Sequence, residues 1–374
     1  MTKLLIIIPS LVGGGAERML INLLSLIDRN EYEVHLVVTL KKGTYLDDVP
    51  EWVIVDYLFT SELSVRVLYK VHQKFNYFYP IKKKVKGILH NYYDCALSFI
   101  DGINTEALAF VNSEKKVSWV HGSYRSNINF YKFYRSSSYC QRLERNRYEG
   151  LDELVFVSHD ALQEFETLFE TKVEKRVIYN PINKLRVRAK AEEDIDIEVG
   201  QDKFVIVCVG SLLEVKNYAM LISACARLIQ NGYNIEVLIC GEGPLIEDLI
   251  QQTVQLGVEN DIRFLGFLDN PYPVMAKANL FCMTSLSEAL PTSLIEAMVL
   301  GIPTLATRVA GCKEVVADGK YGLCVDLNIS EIAKGVISFY NDYKLCDYYS
   351  VKSLERARDF DDDGFIEDFK ALIN

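Results

Sequence analysis

The sequence of 374 residues contains no apolar run long enough to cross a membrane, no cysteine pair at CxxC spacing and no low-complexity tract or short repeat. The opening segment Met1 to Pro9 carries one lysine and a short apolar run that Gly13–Gly15 soon ends. It reads as a buried first strand instead of a signal peptide or membrane helix. The nine cysteines are scattered, and Cys208, Cys240 and Cys282 sit inside apolar runs, where a thiol behaves as a small hydrophobe. Reduced core cysteines in a cytosolic protein are the expectation. A basic footprint is also missing: the net charge of −10 argues against general nucleic-acid binding.

What is present points to two α/β domains. Short runs rich in Ile, Val and Leu alternate with helical patterns, as in parallel sheets buried on both faces by crossover helices. One series of strands is expected near Leu4–Pro9, Glu33–Thr39, Val53–Tyr57, Asp94–Phe99, Val117–Val120, Leu154–Val157 and Arg176–Tyr179. A second is expected near Phe204–Val209, Ile235–Cys240, Ile262–Leu265, Leu280–Met283, Thr304–Ala306 and Leu323–Val325. Between them, the charged stretch 183–202 shows little apolar periodicity and reads as a linker. The expected division is a first domain over 1–182, this linker, a second domain over 203–355 and a terminal amphipathic helix over 356–374. Ligands of doubly wound sheets bind at the carboxyl ends of the strands, which predicts a site in a cleft between the domains.

Two glycine- and acid-containing segments suit a sugar nucleotide. After the first strand comes Gly13-Gly14-Gly15-Ala16-Glu17-Arg18, a glycine turn opening a helix, where the backbone of Gly14 and Gly15 can approach a phosphate. A tight turn without a ligand accounts for these residues equally well. The full dinucleotide pattern is not met, because Arg18 stands where its last glycine would be. Farther on, Ser287-Glu288-Ala289-Leu290-Pro291-Thr292-Ser293-Leu294-Ile295-Glu296 puts proline at the start of a helix, Glu288 in the preceding loop and Glu296 just over one turn inside. The helix end can take phosphates while the carboxylates accept hydrogen bonds from sugar hydroxyls. Asp194-Ile195-Asp196 matches a DxD, but it lies in the charged linker and reads as solvated, so no metal site is assigned.

Together, Gly13–Arg18, Gly210–Asn217, Gly241–Pro244, Glu288–Glu296 and Gly301–Thr307 resemble the family-4 glycosyltransferases, retaining enzymes of GT-B fold. The Glu288 to Glu296 spacing within SLSEALPTSLIEAMVLGIPTLAT carries most of the resemblance. It implies that Lys216 meets the donor diphosphate, Glu296 the ribose hydroxyls and Glu288 the transferred sugar. Leu290 and Thr292 would supply backbone contacts, Leu268 would lie against the base, and His121 would approach the sugar. Two positions depart from the pattern. Ser211 stands in the diphosphate site where arginine is usual, leaving Arg18 as a candidate replacement, and Ala289 stands where glycine is usual, narrowing the space near the sugar.

The implied activity is metal-independent, retaining transfer of a hexose or N-acetylhexosamine from a nucleotide diphosphate, UDP by family frequency, to a lipid-linked glycan of surface-polysaccharide synthesis. The nucleotide sugar is substrate, and no cofactor is implied. A GT-B sugar-nucleotide epimerase and a non-catalytic glycan-binding GT-B subunit are the alternatives.

Charge is unevenly spread: Ser61 to Gly150 holds 15 Lys+Arg against 7 Asp+Glu, a balance of +8 in a chain that is −18 elsewhere. Lys82, Lys83, Lys84 and Lys86 follow Phe75, Tyr77, Phe78 and Tyr79, and a second cluster holds Arg125, Lys132, Arg135, Arg142, Arg145 and Arg147 among aromatics. Interleaved cations and aromatics suit an anionic membrane or a lipid diphosphate acceptor. A location at the inner face of the cytoplasmic membrane follows. An exposed helix whose aromatics pack inward is the other reading of each cluster.

Overall fold

The computed structural model describes residues 1–75, 77–122, 146–200 and 202–373. These residues divide into two compact units, 1–180 with 362–374, and 181–361.

The first unit is built on a seven-stranded parallel sheet of β1 (Thr2–Ile8), β2 (Tyr32–Leu40), β3 (Ile54–Phe59), β4 (Tyr93–Ser98), β5 (Ser113–Val120), β6 (Glu153–Phe156) and β7 (Glu174–Val177). Its spatial order is β3-β2-β1-β4-β5-β6-β7, so the direction of winding reverses between β1 and β4. Leu4 to Ile8 are fully buried, as expected of a central strand covered on both faces. The second unit repeats the plan with β8 (Phe204–Val209), β9 (Ile235–Cys240), β10 (Ile262–Gly266), β11 (Leu280–Met283), β12 (Thr304–Thr307) and β13 (Leu323–Val325). Here the order is β10-β9-β8-β11-β12-β13, with the reversal between β8 and β11. Each expected strand overlaps an observed one, because strands buried on both faces are written as nearly continuous apolar runs.

The stretch 183–202 is not a free linker. Asn183 caps a helix, Lys184–Ala191, by accepting a hydrogen bond from the Arg186 amide at 2.8 Å. This helix belongs to the second unit, where Arg188 donates to the Val299 carbonyl at 3.4 Å. Its apolar signal is faint because Val187 is its one buried residue, while Leu185 is 81% exposed. The chain also re-enters the first unit later than position 356. Helix Tyr343–Arg356 and the turn Ala357–Phe360 belong to the second unit, and the final helix is Asp362–Ile373.

That final helix packs on the first sheet. Phe365 and Phe369 lie against the fully buried Trp119 of β5, with ring centroids 6.1 and 6.4 Å away. Lys115 donates to the Leu372 carbonyl, and Lys370 pairs with Glu31 at 2.7 Å. The eight cysteines among the described residues are free thiols, and burial pushes Cys225, Cys240 and Cys95 up to about 12. No helix among the described residues is long and apolar enough to cross a membrane.

Candidate active site

In the second unit, the loops that leave the carboxyl ends of β8 and β11 meet across the reversal of strand order, where open α/β sheets bind ligands. The β8 loop ends in a short turn, Glu214–Lys216, followed by Asn217 in the left-handed conformation at φ 53°. Asparagine tolerates this region, and its side-chain amide donates to the Thr284 carbonyl at 3.3 Å. The Leu286 amide donates to the Val215 carbonyl at 2.7 Å, tying the β11 loop to the same turn.

These ties bring Lys216 and Glu288 together although 72 residues separate them. Lys216 Nζ donates to Glu288 Oε1 at 2.6 Å, with the two side chains 21% and 13% exposed. Ser285 Oγ donates to the same oxygen at 2.6 Å. Ser285 was not singled out from sequence; the signal available was its position three residues before Glu288, on the same loop.

Glycine makes this loop packing possible. Gly311, at φ +74°, passes so close to the Glu288 and Ala289 carbonyls that a Cβ there would collide with both. A Cβ on Gly241 would likewise strike the Gly210 carbonyl, which Tyr218 already holds with a 3.1 Å hydrogen bond. Ala289 and Leu290 are buried beside this crossing.

Pro291 leads into the helix Thr292–Val299, and Ser293 Oγ pins its first turn by donating to the Val209 carbonyl at 3.0 Å. Glu296 lies one turn in. Its Oε1 accepts a 2.8 Å hydrogen bond from the hydroxyl of Tyr272, a second residue that sequence reasoning missed. Leu268 lies partly buried in the loop after β10, beside Phe267, which is 67% exposed. Ser211 is exposed. The second unit therefore gathers Lys216 with Glu288 and places Leu290, Thr292 and Glu296 on the adjoining loop and helix.

Gly14, Gly15 and His121 lie in the first unit. The helix Gly15–Leu26 does begin at the glycine turn, yet the Glu17 carboxylate folds back onto the backbone amides of Gly14 and Glu17. Burial raises the Glu17 carboxyl above its ordinary value, opposed by those two hydrogen bonds. Arg18 is engaged locally, 3.7 Å from Asp48 and with its guanidinium 4.2 Å above the Tyr45 ring.

His121 follows β5, its ring packed against both Phe99 and Trp119 at centroid distances of 5.1 and 5.8 Å. Its Nε2 is buried without a hydrogen-bond partner among the described residues. Burial pushes its pKa down to about 3, against a smaller raising effect from the Phe99 backbone, so the imidazole is neutral near pH 7.

The basic helix is Tyr79–Ile88, with Ile81 and Val85 turned inward and Lys83, Lys84 and Lys86 exposed. Lys82 is half-buried, its Nζ 5.0 Å above the Phe110 ring. The neighbouring aromatics divide: Phe78 stacks on Phe110, while Phe75, Tyr77 and Tyr79 are 71, 50 and 59% exposed. Of the second cluster, Arg147 is buried against Glu106 at 3.1 Å. The others, Arg125, Lys132, Arg135, Arg142 and Arg145, lie outside the described residues.

Asp194 and Asp196 are both exposed, and the described residues contain no group of three or more His, Cys, Asp or Glu placed to hold a metal ion.

Two family models divide the chain between them: Glycosyltransferase Family 4 matches residues 13–184 and Glycosyl transferases group 1 matches residues 190–356. The sequence is 30% identical over 368 residues to an N-acetylgalactosamine-N,N'-diacetylbacillosaminyl-diphospho-undecaprenol 4-alpha-N-acetylgalactosaminyltransferase of Campylobacter jejuni, covering 96% of each chain. A second Campylobacter jejuni protein, a GalNAc-alpha-(1->4)-GalNAc-alpha-(1->3)-diNAcBac-PP-undecaprenol alpha-1,4-N-acetyl-D-galactosaminyltransferase, is 26% identical across 100% of this chain and 98% of its own. Among solved structures, sucrose-phosphate synthase of Thermosynechococcus elongatus superposes with a TM-score of 0.80 at 15% identity, covering 100% of this chain and 98% of that one. The Anabaena HepE protein in complex with UDP gives 0.76 at 19% identity, with 100% and 99% covered. With two doubly wound parallel sheets and these relatives over nearly its whole length, the chain belongs to the family-4 glycosyltransferases of GT-B fold.

Proposed function

We propose that the protein transfers an N-acetylhexosamine from a UDP-sugar to a lipid-linked diphosphate glycan, with retention at the anomeric carbon and without a metal ion, in surface-polysaccharide synthesis. The observation that carries this reading is the Lys216 ammonium, held 2.6 Å from Glu288 where the strand order reverses. A fixed cation there can stabilise the diphosphate as it leaves, a device that needs no ion. The N-terminus of helix Thr292–Val299 adds partial positive charge on the same side.

In this reading Lys216 exchanges Glu288 for the donor diphosphate when substrate binds. Freed from the lysine, the Glu288 carboxylate keeps the Ser285 hydroxyl as donor and can accept a hydroxyl of the transferred sugar. Glu296 accepts the ribose hydroxyls, and Leu268 lies against the base. Of the first-unit residues, the family resemblance assigns neutral His121, whose Nε2 has no partner among the described residues, to the sugar, and the Gly14–Gly15 backbone to phosphate once Glu17 turns away. The choice of N-acetylhexosamine and of a lipid diphosphate acceptor is supported by the names of the two Campylobacter relatives. UDP is supported by the complex of the Anabaena protein.

Reaching a lipid-linked acceptor calls for contact with a membrane. Exposed Lys83, Lys84 and Lys86, with half-buried Lys82 beside them, stand next to exposed Phe75, Tyr77 and Tyr79. That combination suits reversible binding to an anionic leaflet at the inner face of the cytoplasmic membrane.

The test is a donor screen with purified protein, measuring nucleotide release with and without a lipid-linked diphosphate glycan. Release that requires the acceptor supports the reading. Release of free epimerised sugar instead favours the epimerase, and no release with any donor favours a non-catalytic subunit.

A further inference from the structure

We infer that Tyr272 is a positioning residue that aims the Glu296 carboxylate at a ribose, making the nucleotide site selective for nucleotides that carry ribose hydroxyls. This inference rests on the assignment of Glu296 to the ribose given above.

Both partners of the 2.8 Å Tyr272–Glu296 hydrogen bond stand on anchored backbone. The helix bearing Glu296 is fixed at its start by Ser293 on the Val209 carbonyl and at its end by Arg188 on the Val299 carbonyl. On the other side, Tyr272 opens the short helix Tyr272–Ala276 after β10, and its amide donates to Asn270 Oδ1 at 3.2 Å. Asn270 in turn donates through Nδ2 to the Lys190 carbonyl at 2.8 Å and to Glu193 Oε2 at 2.6 Å. The 183–202 stretch thus supplies struts on two sides of the bond: Arg188 on the helix, Lys190 and Glu193 on the loop.

A glutamate side chain has three rotatable bonds, and binding that must first order them is weaker than binding to a group already in place. The phenol removes that freedom. As a donor to Oε1 it holds one carboxylate oxygen in place, and a carboxylate has enough lone-pair sites to accept from a vicinal diol as well. A nucleotide that lacks the diol has nothing to gain from this preparation.

The experiment is calorimetric binding of UDP and of 2′,3′-dideoxy-UDP to wild type, Tyr272→Phe, Glu296→Gln and the double variant. Loss of a hydrogen bond that organises a carboxylate predicts UDP binding weakened by about tenfold in Tyr272→Phe. Binding of the dideoxy nucleotide should be unchanged, and the double variant should bind UDP no more weakly than Glu296→Gln alone. Wild-type UDP affinity in Tyr272→Phe overturns the inference while leaving the ribose assignment standing. Equal losses for both nucleotides, with or without a lowered Tm, assign Tyr272 a structural role and also overturn it. If Glu296→Gln binds UDP as wild type does, the ribose assignment itself fails, and the inference with it.

Discussion

Replacing Lys216 by methionine removes the ammonium that sits 2.6 Å from Glu288 Oε1 while keeping most of the side chain's volume. Two effects follow. In the free enzyme, Glu288 keeps the Ser285 hydroxyl as its remaining donor from the pair, at 2.6 Å. Breaking a fully buried ion pair from one side costs about 3–5 kcal/mol. Because the side chains here are 21% and 13% exposed, water can partly replace the lysine, and a loss of roughly 1–3 kcal/mol in stability is expected. In the reaction, the variant lacks a preorganised charge at the leaving diphosphate. A single such donor is worth about 2.7–4 kcal/mol, which predicts kcat/KM lowered by about a hundredfold to a thousandfold. Lys216→Arg should rescue little, because a planar fork does not reproduce a compact ammonium in a space set by Ser285 and Glu288. The assay is the initial rate of acceptor-dependent nucleotide release, with circular dichroism and a thermal melt to confirm folding. A folded Lys216→Met enzyme with near-normal kcat/KM would refute the reasoning.

The two carboxylates should separate by function: Glu296→Gln raises the Kd for UDP, whereas Glu288→Gln lowers kcat with little change in nucleotide affinity, and equal effects on UDP binding contradict the division. His121, pushed down to about 3 by burial, should show no ring protonation by NMR between pH 8 and pH 5; a midpoint near its unperturbed value contradicts the enclosed Nε2. The sign for stability follows: a depressed folded pKa means that this histidine favours the folded state above its unfolded value of about 6.5 and that this contribution is lost as pH falls toward 3. Activity should survive EDTA, and complete loss restored by Mn²⁺ contradicts metal independence. Changing Lys82, Lys83, Lys84 and Lys86 to glutamate should abolish sedimentation with anionic vesicles and spare UDP binding, since each lysine near such a surface contributes about 1 kcal/mol; failure of wild type to bind vesicles at low salt removes the membrane proposal.

The two sheets were legible because their strands are buried on both faces, so runs such as Leu4–Ile8 and Phe204–Val209 are apolar throughout. Glu288, Glu296 and Lys216 were legible through the family pattern, since no local rule links residues 72 positions apart in the chain. What the pattern left out is the support around those residues. Ser285, in a loop, and Tyr272, at the start of a short helix, are common residue types, and only the folded backbone shows each aimed at a carboxylate. The helix Lys184–Ala191 escaped for a different reason. Its stability comes from the Asn183 cap and from polar ties to Val299 and Asn270, with one buried apolar side chain to mark it, so periodicity had almost nothing to detect. Glu17 shows the same limit from another direction: the glycine turn was visible, but not that a carboxylate three residues on from Gly14 would engage its amide.

The most direct test of the central claim is the anomeric configuration of the product formed from UDP-N-acetylgalactosamine, whose sugar is α-linked, and a lipid-linked diphosphate glycan. After transfer by the wild-type protein, the NMR spectrum of the released oligosaccharide should contain one new anomeric proton with the small coupling of an α-linkage, absent when Lys216→Met replaces wild type. A large coupling from a β-linkage, or an unextended glycan beside free N-acetylhexosamine, would contradict retaining transfer to a lipid-linked acceptor.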